Sequence, residues 1–182
     1  MPFEFTLLDA LQALRCPALD ALAVFFDYAG AHGEIWVAFS AVLLVFRRTR
    51  RAGLAMALAL GLYMLTGHCA LKPLFARPRP CDIQPAMLTL VARPHGWSFP
   101  SGHTASGFAA AFALWRQNRK LGVPALWLAA LIGFTRMYLY VHFPTDILGG
   151  IALGLALGAC GAVLADKVSN KWAKYSEVKR TV

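Results

Sequence analysis

The fold is decided by a stretch of 20 residues without formal charge, AGLAMALALGLYMLTGHCAL, which runs from Ala52 to Leu71. A helix of about 20 apolar residues is long enough to cross the roughly 30 Å hydrocarbon core of a bilayer. Two further segments have the same character: Leu121–Val141, with a single charge at Arg136, and Ile147–Ala165, with none. These three segments predict helices that span a membrane.

The composition supports the same prediction. Of the 182 residues 58% are apolar and only 15% are charged, whereas a soluble domain carries about 25% charged residues. This balance argues against a water-soluble enzyme and against a disordered chain. We therefore predict an all-α integral membrane bundle of about six transmembrane helices, forming a single domain over residues 1–182, with Gly102–Trp115 and Ile35–Phe46 as shorter spans. Residues 1–30 either lie in the membrane interface or lead into a short span.

The net charge of +9 is compatible with a nucleic acid or with a membrane, and the position of the charges favours the membrane. Basic residues form three clusters between or after the apolar segments: Arg47, Arg48, Arg50 and Arg51; Arg116, Arg119 and Lys120; Lys167, Lys171, Lys174, Lys179 and Arg180. The positive-inside rule places all three clusters, including the tail 166–182, in the cytoplasm of a multi-pass cell-membrane protein. The loop Lys72–Phe99 then lies outside the cell, and no nucleic-acid partner is expected.

Five basic residues depart from this rule and fall near the outer ends of the spans: Lys72, Arg77, Arg79, Arg93 and Arg136. Ser101 suits the N-cap of the helix that follows it, and Gly102 allows a ligand to approach the backbone. Pro144 and Asp146 suit the first turn of another helix. Because helix N-termini attract anions, these features predict a phosphate site at the extracytoplasmic end of the bundle.

Two histidines near these helix starts supply reactive groups. Asp146 follows His142 by four residues and can hold one ring nitrogen, which leaves the other free to attack phosphorus. His103 can protonate the leaving oxygen. Lys72, Arg79 and Arg136 can surround the phosphate oxygens. No carboxylate cluster suggests a metal, and the four cysteines have no metal-ligand spacing, so free thiols are favoured over a Cys69–Cys81 bridge.

These segments resemble the motifs of the type 2 phosphatidic acid phosphatase family, whose site is shared with vanadium haloperoxidases. The motif residues are Lys72, Arg79-Pro80, Pro100-Ser101-Gly102-His103, Thr135-Arg136, His142 and Asp146. Thr135 replaces the serine that is usual in the family and keeps a hydroxyl. The resemblance implies that His142 is the nucleophile, Asp146 its orienting partner and His103 the general acid. It also implies that Lys72, Arg79, Ser101, Gly102 and Arg136 bind the phosphate.

We therefore expect a metal-independent lipid phosphatase that needs no cofactor and forms a phosphohistidine. Compact members of this family often act on polyprenyl pyrophosphates, and the five basic residues near the outer face exceed what one phosphate monoester needs. The resemblance and this charge count therefore favour undecaprenyl pyrophosphate as substrate, which would be converted to undecaprenyl phosphate. Phosphatidylglycerol phosphate and phosphatidic acid are the alternative substrates. A non-catalytic binder or transporter of phosphorylated lipid, or vanadate-dependent oxidation, is a remoter alternative.

Overall fold

The computed structural model describes the backbone of residues 2–30 and 33–181 and the side chains of residues 3–30 and 33–172. This part of the chain is helical and has no strand. The helices are α1 (Pro2–Gln12), α2 (Pro17–Gly30), α3 (Glu34–Val45), α4 (Arg50–Tyr63), α5 (Lys72–Phe75), α6 (Pro80–Ile83), α7 (Gly102–Gln117), α8 (Arg119–Tyr138) and α9 (Pro144–Thr181). A π-helical segment, Met64–Leu71, joins α4 to α5. The predicted all-α fold class is confirmed.

Within the described residues, three helical stretches are long and apolar enough to cross a membrane: Arg50–Ile83, Arg119–Tyr138 and Pro144–Trp172. A fourth is added if α2 and α3 together form one broken span. Helix α1 has 11 residues, about 16 Å of length, and is too short to cross. The protein is a multi-pass helical membrane protein, and the total of six spans stays a prediction.

The predicted end of one span differs from the structure. The span predicted to reach Val141 ends at Tyr138, because the backbone leaves the helix there and turns back toward α9. Helix α9 continues through residues 166–181 of the predicted tail, and the cytoplasmic position of this tail stays a prediction. No glycine or proline interrupts residues 166–181, so nothing in this stretch ends the helix.

Helix α7 lies at the centre of the bundle and packs against α4, α8 and α9. Its buried face consists largely of alanine: Ala105, Ala109, Ala110, Ala111 and Ala113 are fully buried. A Cβ atom added at Gly154 would lie 2.7 Å from the Ala105 carbonyl, and one at Gly158 would lie 2.7 Å from the Ala109 carbonyl. These small residues let the α7 and α9 backbones approach closely, which places their N-termini side by side.

The two ends of the bundle carry different groups of residues. At one end, Asp166 of α9 pairs with Arg51 of α4 at 2.7 Å and accepts a hydrogen bond from Gln117 of α7. The basic clusters lie next to these residues in the sequence, so they lie together at this end of the bundle. The opposite end, called the site end below, holds the motif residues. The four cysteines are free thiols, and Cys81 is the buried one.

Candidate active site

The N-termini of α7 and α9 meet at the site end. The Ser101 amide donates a hydrogen bond to the Asp146 carbonyl at 3.1 Å, which joins the start of one helix to the first turn of the other. The Ser101 hydroxyl accepts from Thr104 at 3.0 Å. At Gly102 an added Cβ would lie 2.8 Å from the Tyr63 hydroxyl, so a larger residue there would displace the end of the Tyr63 side chain. The two helix N-termini thus present their free amides to one region.

His142 lies in the turn between α8 and α9, and its contacts define its tautomer. The Arg79 Nη1 atom lies 3.1 Å from His142 Nε2. Because a guanidinium only donates, Nε2 is the accepting nitrogen and the ring proton lies on Nδ1. His142 Nδ1 faces the Ser98 hydroxyl at 3.3 Å and the Asp146 carboxylate at 3.5 Å. The nitrogen with the free electron pair therefore points toward Arg79.

The surroundings of His142 favour the uncharged form of its ring. The pKa of His142 is lowered from its ordinary value of 6.5 to about 3; burial is the main cause, the hydrogen bond to Asp146 opposes the shift, and the positive charges of Arg79 and Arg136 add to it. A neutral imidazole keeps the electron pair that a nucleophile requires. The environment of His142 therefore suits attack on phosphorus.

The Asp146 carboxylate is fully buried and surrounded by donors. Its Oδ1 atom accepts from Arg77 at 2.6 Å. Its Oδ2 atom accepts from the Ser98 hydroxyl at 2.5 Å and from the Phe143 amide at 2.8 Å. Ser98 therefore lies between His142 and Asp146 and touches both. Sequence reasoning missed Ser98, because no motif spacing distinguishes it from other serines.

Replacing Ser98 by alanine is expected to lower kcat about tenfold, equivalent to about 1.4 kcal/mol. The reason is that the shorter of the two contacts of His142 Nδ1 is with the Ser98 hydroxyl. The measurement is phosphate release at saturating lipid. Ser40→Ala is the matched control, since Ser40 is a buried serine that donates to Gly53, far from the motifs. Equal kcat for Ser98→Ala and Ser40→Ala would show that Ser98 does not orient His142.

A second group of contacts forms around Arg136, which is fully buried at the last turn of α8. Its Nη1 atom donates to the Asp27 carboxylate of α2 and lies 3.3 Å from His103 Nε2. Its Nε and Nη2 atoms are buried and have no hydrogen-bond partner in the described part of the chain. Unpaired buried donors are costly, and an anion bound at this position would satisfy both.

Asp27 was not among the predicted site residues. It lies 3.9 Å from His103 Nε2 in addition to its pairing with Arg136. One signal in the sequence points to it, since an acidic residue within an apolar membrane segment is a functional candidate by default. Only the fold shows which basic group it pairs with.

Lys72 and Arg79 carry charge that no carboxylate neutralises at ion-pairing distance within the described residues. Lys72 Nζ donates to the Trp97 carbonyl at 2.7 Å. Arg79 is buried and donates to the carbonyls of Gly96 at 3.0 Å and Val141 at 3.1 Å. Carbonyl groups hold these cations in place without cancelling their charge. Together with Arg136, they form a positive region suited to a phosphate.

The remaining candidate residues are engaged in other contacts. Arg77 binds Glu4 and Asp146, and the exposed Arg93 donates to the Pro85 carbonyl at 2.7 Å. The Thr135 hydroxyl donates to the Ile132 carbonyl of its own helix at 2.7 Å. The exchange of serine for threonine at Thr135 therefore leaves the contacts of the site unaffected.

A membrane-embedded helical bundle that gathers three cations and two histidines at paired helix N-termini has the architecture of a membrane phosphatase. The sequence model of the PAP2 superfamily matches residues 50–169, well over half of the chain. The protein belongs to the PAP2 superfamily and is a lipid phosphatase, as the motifs predicted.

Individual relatives agree with this assignment. The chain is 28% identical over 153 residues to an undecaprenyl-diphosphatase of Sulfolobus acidocaldarius, and the matched region covers 84% of this chain and 73% of that protein. It is 30% identical to an undecaprenyl-diphosphatase of Bacillus subtilis, over 77% of this chain and 72% of that one. The crystal structure of a transmembrane PAP2-type phosphatidylglycerolphosphate phosphatase from Bacillus subtilis is also similar. It superposes with a TM-score of 0.71 at 28% identity, covering 93% of this chain and 86% of that one.

Proposed function

We propose that this protein removes the terminal phosphate of undecaprenyl pyrophosphate and releases undecaprenyl phosphate, through a phosphohistidine on His142. The contact between Arg79 Nη1 and His142 Nε2 at 3.1 Å carries the mechanism, since it places a phosphate-binding cation beside the nucleophilic nitrogen. The two undecaprenyl-diphosphatases among the relatives support the substrate. The similar Bacillus subtilis structure makes phosphatidylglycerol phosphate the second candidate.

In the first step His142 Nε2 attacks the terminal phosphorus in line with the bridging oxygen. A nitrogen–phosphorus bond forms while the bond from phosphorus to the bridging oxygen breaks. Lys72, Arg79 and Arg136 hold the oxygens of the transferred group, and positioning of this kind accounts for most catalysis of phosphoryl transfer. His103 donates its proton to the leaving oxygen, which departs as the lipid monophosphate.

In the second step water attacks the phosphohistidine. His103 accepts a proton from that water, the nitrogen–phosphorus bond breaks, and inorganic phosphate leaves with His142 restored. Asp146, acting directly and through Ser98, stabilises the positive ring of the phosphohistidine. Asp27 lies 3.9 Å from His103 Nε2 and is the carboxylate that can pair with this ring when it carries the proton for the leaving oxygen.

The charge of the site suits a diphosphate, although less strongly than the sequence alone predicted. Arg77 is neutralised by two carboxylates, so it no longer contributes to the positive charge available to a substrate. Lys72, Arg79 and Arg136 remain, and they are partly offset by Asp27 and by the surplus negative charge of the group formed by Glu4, Arg77 and Asp146. A net positive site of this kind favours a substrate with more than one negative phosphate.

We further propose that the site end faces the outside of the cell membrane. The basic clusters meet at the opposite end, where the positive-inside rule places the cytoplasm. An outward site would act on a lipid carrier released as its pyrophosphate on the outer leaflet.

A panel of lipid phosphates tests the proposed substrate. The purified protein is assayed for phosphate release from undecaprenyl pyrophosphate, phosphatidylglycerol phosphate and phosphatidic acid, each with and without EDTA. We expect the highest kcat/KM with undecaprenyl pyrophosphate and no effect of EDTA. A preference of more than about tenfold for either glycerolipid, equivalent to about 1.4 kcal/mol, would reject the proposed substrate. Activity lost in EDTA and restored by magnesium would reject the metal-free mechanism.

A further inference from the structure

Helix α1 lies along the segment that carries the proposed nucleophile. The Gln12 side chain donates to the Tyr138 carbonyl at 2.8 Å, where α8 ends. The Asp9 carboxylate accepts a hydrogen bond from the Tyr140 hydroxyl at 2.7 Å. These two contacts hold the start of the turn that leads to His142.

Apolar contacts fix the same turn. Leu8 is fully buried and packs with Tyr140 and Phe143 on either side of His142, and the Phe5 ring meets Phe143 edge-on at 5.3 Å. Tyr140 has a φ of 62°, a left-handed conformation that is unfavourable for a bulky residue. The surrounding structure must hold it in place, and α1 supplies much of that structure.

The first turn of α1 reaches the proposed catalytic carboxylate through one arginine. Arg77 Nη2 binds Glu4 at 2.7 Å, and Arg77 Nη1 binds Asp146 at 2.6 Å. Thr145 donates to Glu4 at 2.6 Å and accepts from Arg77 at 2.6 Å. The side chains of Glu4 and Arg77 are 12% and 15% exposed, so solvent screens these pairs only weakly.

We propose that α1 is a positioning element of the active site, in which Glu4 acts through Arg77 to fix Asp146 and thereby His142. Neither residue belongs to the motifs that define the family resemblance. Glu4 binds the Arg77 guanidinium at one edge, and the Phe143 ring covers its face, with the ring centroid 4.1 Å from Arg77 Cζ. Because the guanidinium is planar, these two contacts orient its Nη1 atom toward Asp146. Arg77 thus supports the pair formed by His142 and Asp146 and does not bind substrate.

Three variants test this inference, which rests on the proposed roles of His142 and Asp146. Glu4→Gln is expected to lower kcat about fivefold, and Arg77→Met about a hundredfold, with KM within about twofold of wild type in both. Arg77→Lys should recover part of the loss, because it restores the charge without the fork. The double variant of Glu4→Gln and Arg77→Met should match Arg77→Met alone, since Glu4 acts through Arg77.

The pH profile separates positioning from a general loss of structure. His142 faces Arg79, Arg136, Ser98 and Asp146, and Asp146 in turn faces Arg77. Removing the Arg77 charge makes the field of Asp146 at His142 more negative, which raises the pKa of His142. The acid limb of kcat/KM should therefore move to higher pH in Arg77→Met, and should not move upward in Glu4→Gln or Arg77→Lys.

The substrate in these assays is whichever lipid the wild-type protein hydrolyses fastest, so that a wrong choice of lipid does not affect the outcome. Asp166→Asn is the matched control, since it removes an arginine–carboxylate pair at the opposite end and should keep wild-type kcat. A rise in KM at constant kcat would overturn the proposal, because it would place Arg77 on the substrate. Wild-type kcat in Glu4→Gln would also overturn it. If Arg77→Met does not fold, Glu4→Gln and Arg77→Lys decide the question.

Discussion

Replacing His142 by alanine is expected to lower phosphate release by at least about 10⁴-fold, because the covalent route through phosphohistidine is lost. The neighbouring groups have other roles in the proposed mechanism: His103 transfers protons, and the Asp146 oxygens are occupied by donors. The measurement is single-turnover release of inorganic phosphate by purified protein. Wild-type enzyme quenched early should carry phosphate on histidine, and the variant should carry none.

His68→Ala is the matched control for this variant. His68 lies exposed on the π-helical segment and belongs to none of the motifs, so its removal should leave phosphate release unchanged. Thermal unfolding of both variants in detergent shows whether each retains the fold. A folded His142→Ala protein that releases phosphate at the wild-type rate would contradict the proposed mechanism.

Replacing Arg136 by lysine is expected to lower kcat/KM about a hundredfold, equivalent to about 2.7 kcal/mol of transition-state stabilisation. Lysine keeps the charge opposite Asp27 but has a single nitrogen, so it cannot supply the two donors, Nε and Nη2, that are buried without a partner. Vanadate, which mimics five-coordinate phosphorus, should inhibit the variant correspondingly less. The measurements are kcat/KM and the inhibition constant of vanadate, each determined for Arg136→Lys and for the wild-type protein.

Arg51→Lys is the control for this prediction, because Arg51 pairs with Asp166 at the opposite end and is about half exposed. It should keep the wild-type kcat/KM. If Arg136→Lys retained wild-type vanadate inhibition, the unpaired donors of Arg136 would not be the phosphate site. The pairing with Asp27 would then be their main role.

Much of this protein could be predicted from local features of the sequence. The uncharged stretch Ala52–Leu71 requires a membrane helix, because in hydrocarbon only a helix satisfies every backbone group within one segment. The spacing from His142 to Asp146 and the serine before α7 indicate the reactive groups, since both follow from neighbours along the chain. Gly150, Gly154 and Gly158 recur at every fourth position, and this spacing indicates the face of α9 that packs against another helix.

Local patterns failed where contacts join distant parts of the chain. Glu4 and Asp146 are brought to one arginine although most of the chain separates them, and Asp27 of α2 reaches Arg136 at the end of α8. Ser98 has no periodicity or motif of its own. The number of basic residues near the outer ends of the spans also overstated the charge available to a substrate. Arg77 is one of these residues, and in the fold it is paired with Glu4 and Asp146.

The sequence by itself determined that the chain enters a membrane and that its basic clusters share one end of the bundle. It also predicted a phosphate site of histidines and basic residues at the other end. Hydropathy and short motif spacing decide these properties, because they depend on transfer into lipid and on residues a few positions apart. Tertiary structure alone decided which groups donate hydrogen bonds to Asp146 and which tautomer His142 adopts. It also decided that α1 packs against the turn that carries His142. A hydrogen bond depends on tenths of an ångström between side chains, and only the packing of α7 against α9 and of α1 over the turn at Tyr140 sets those distances.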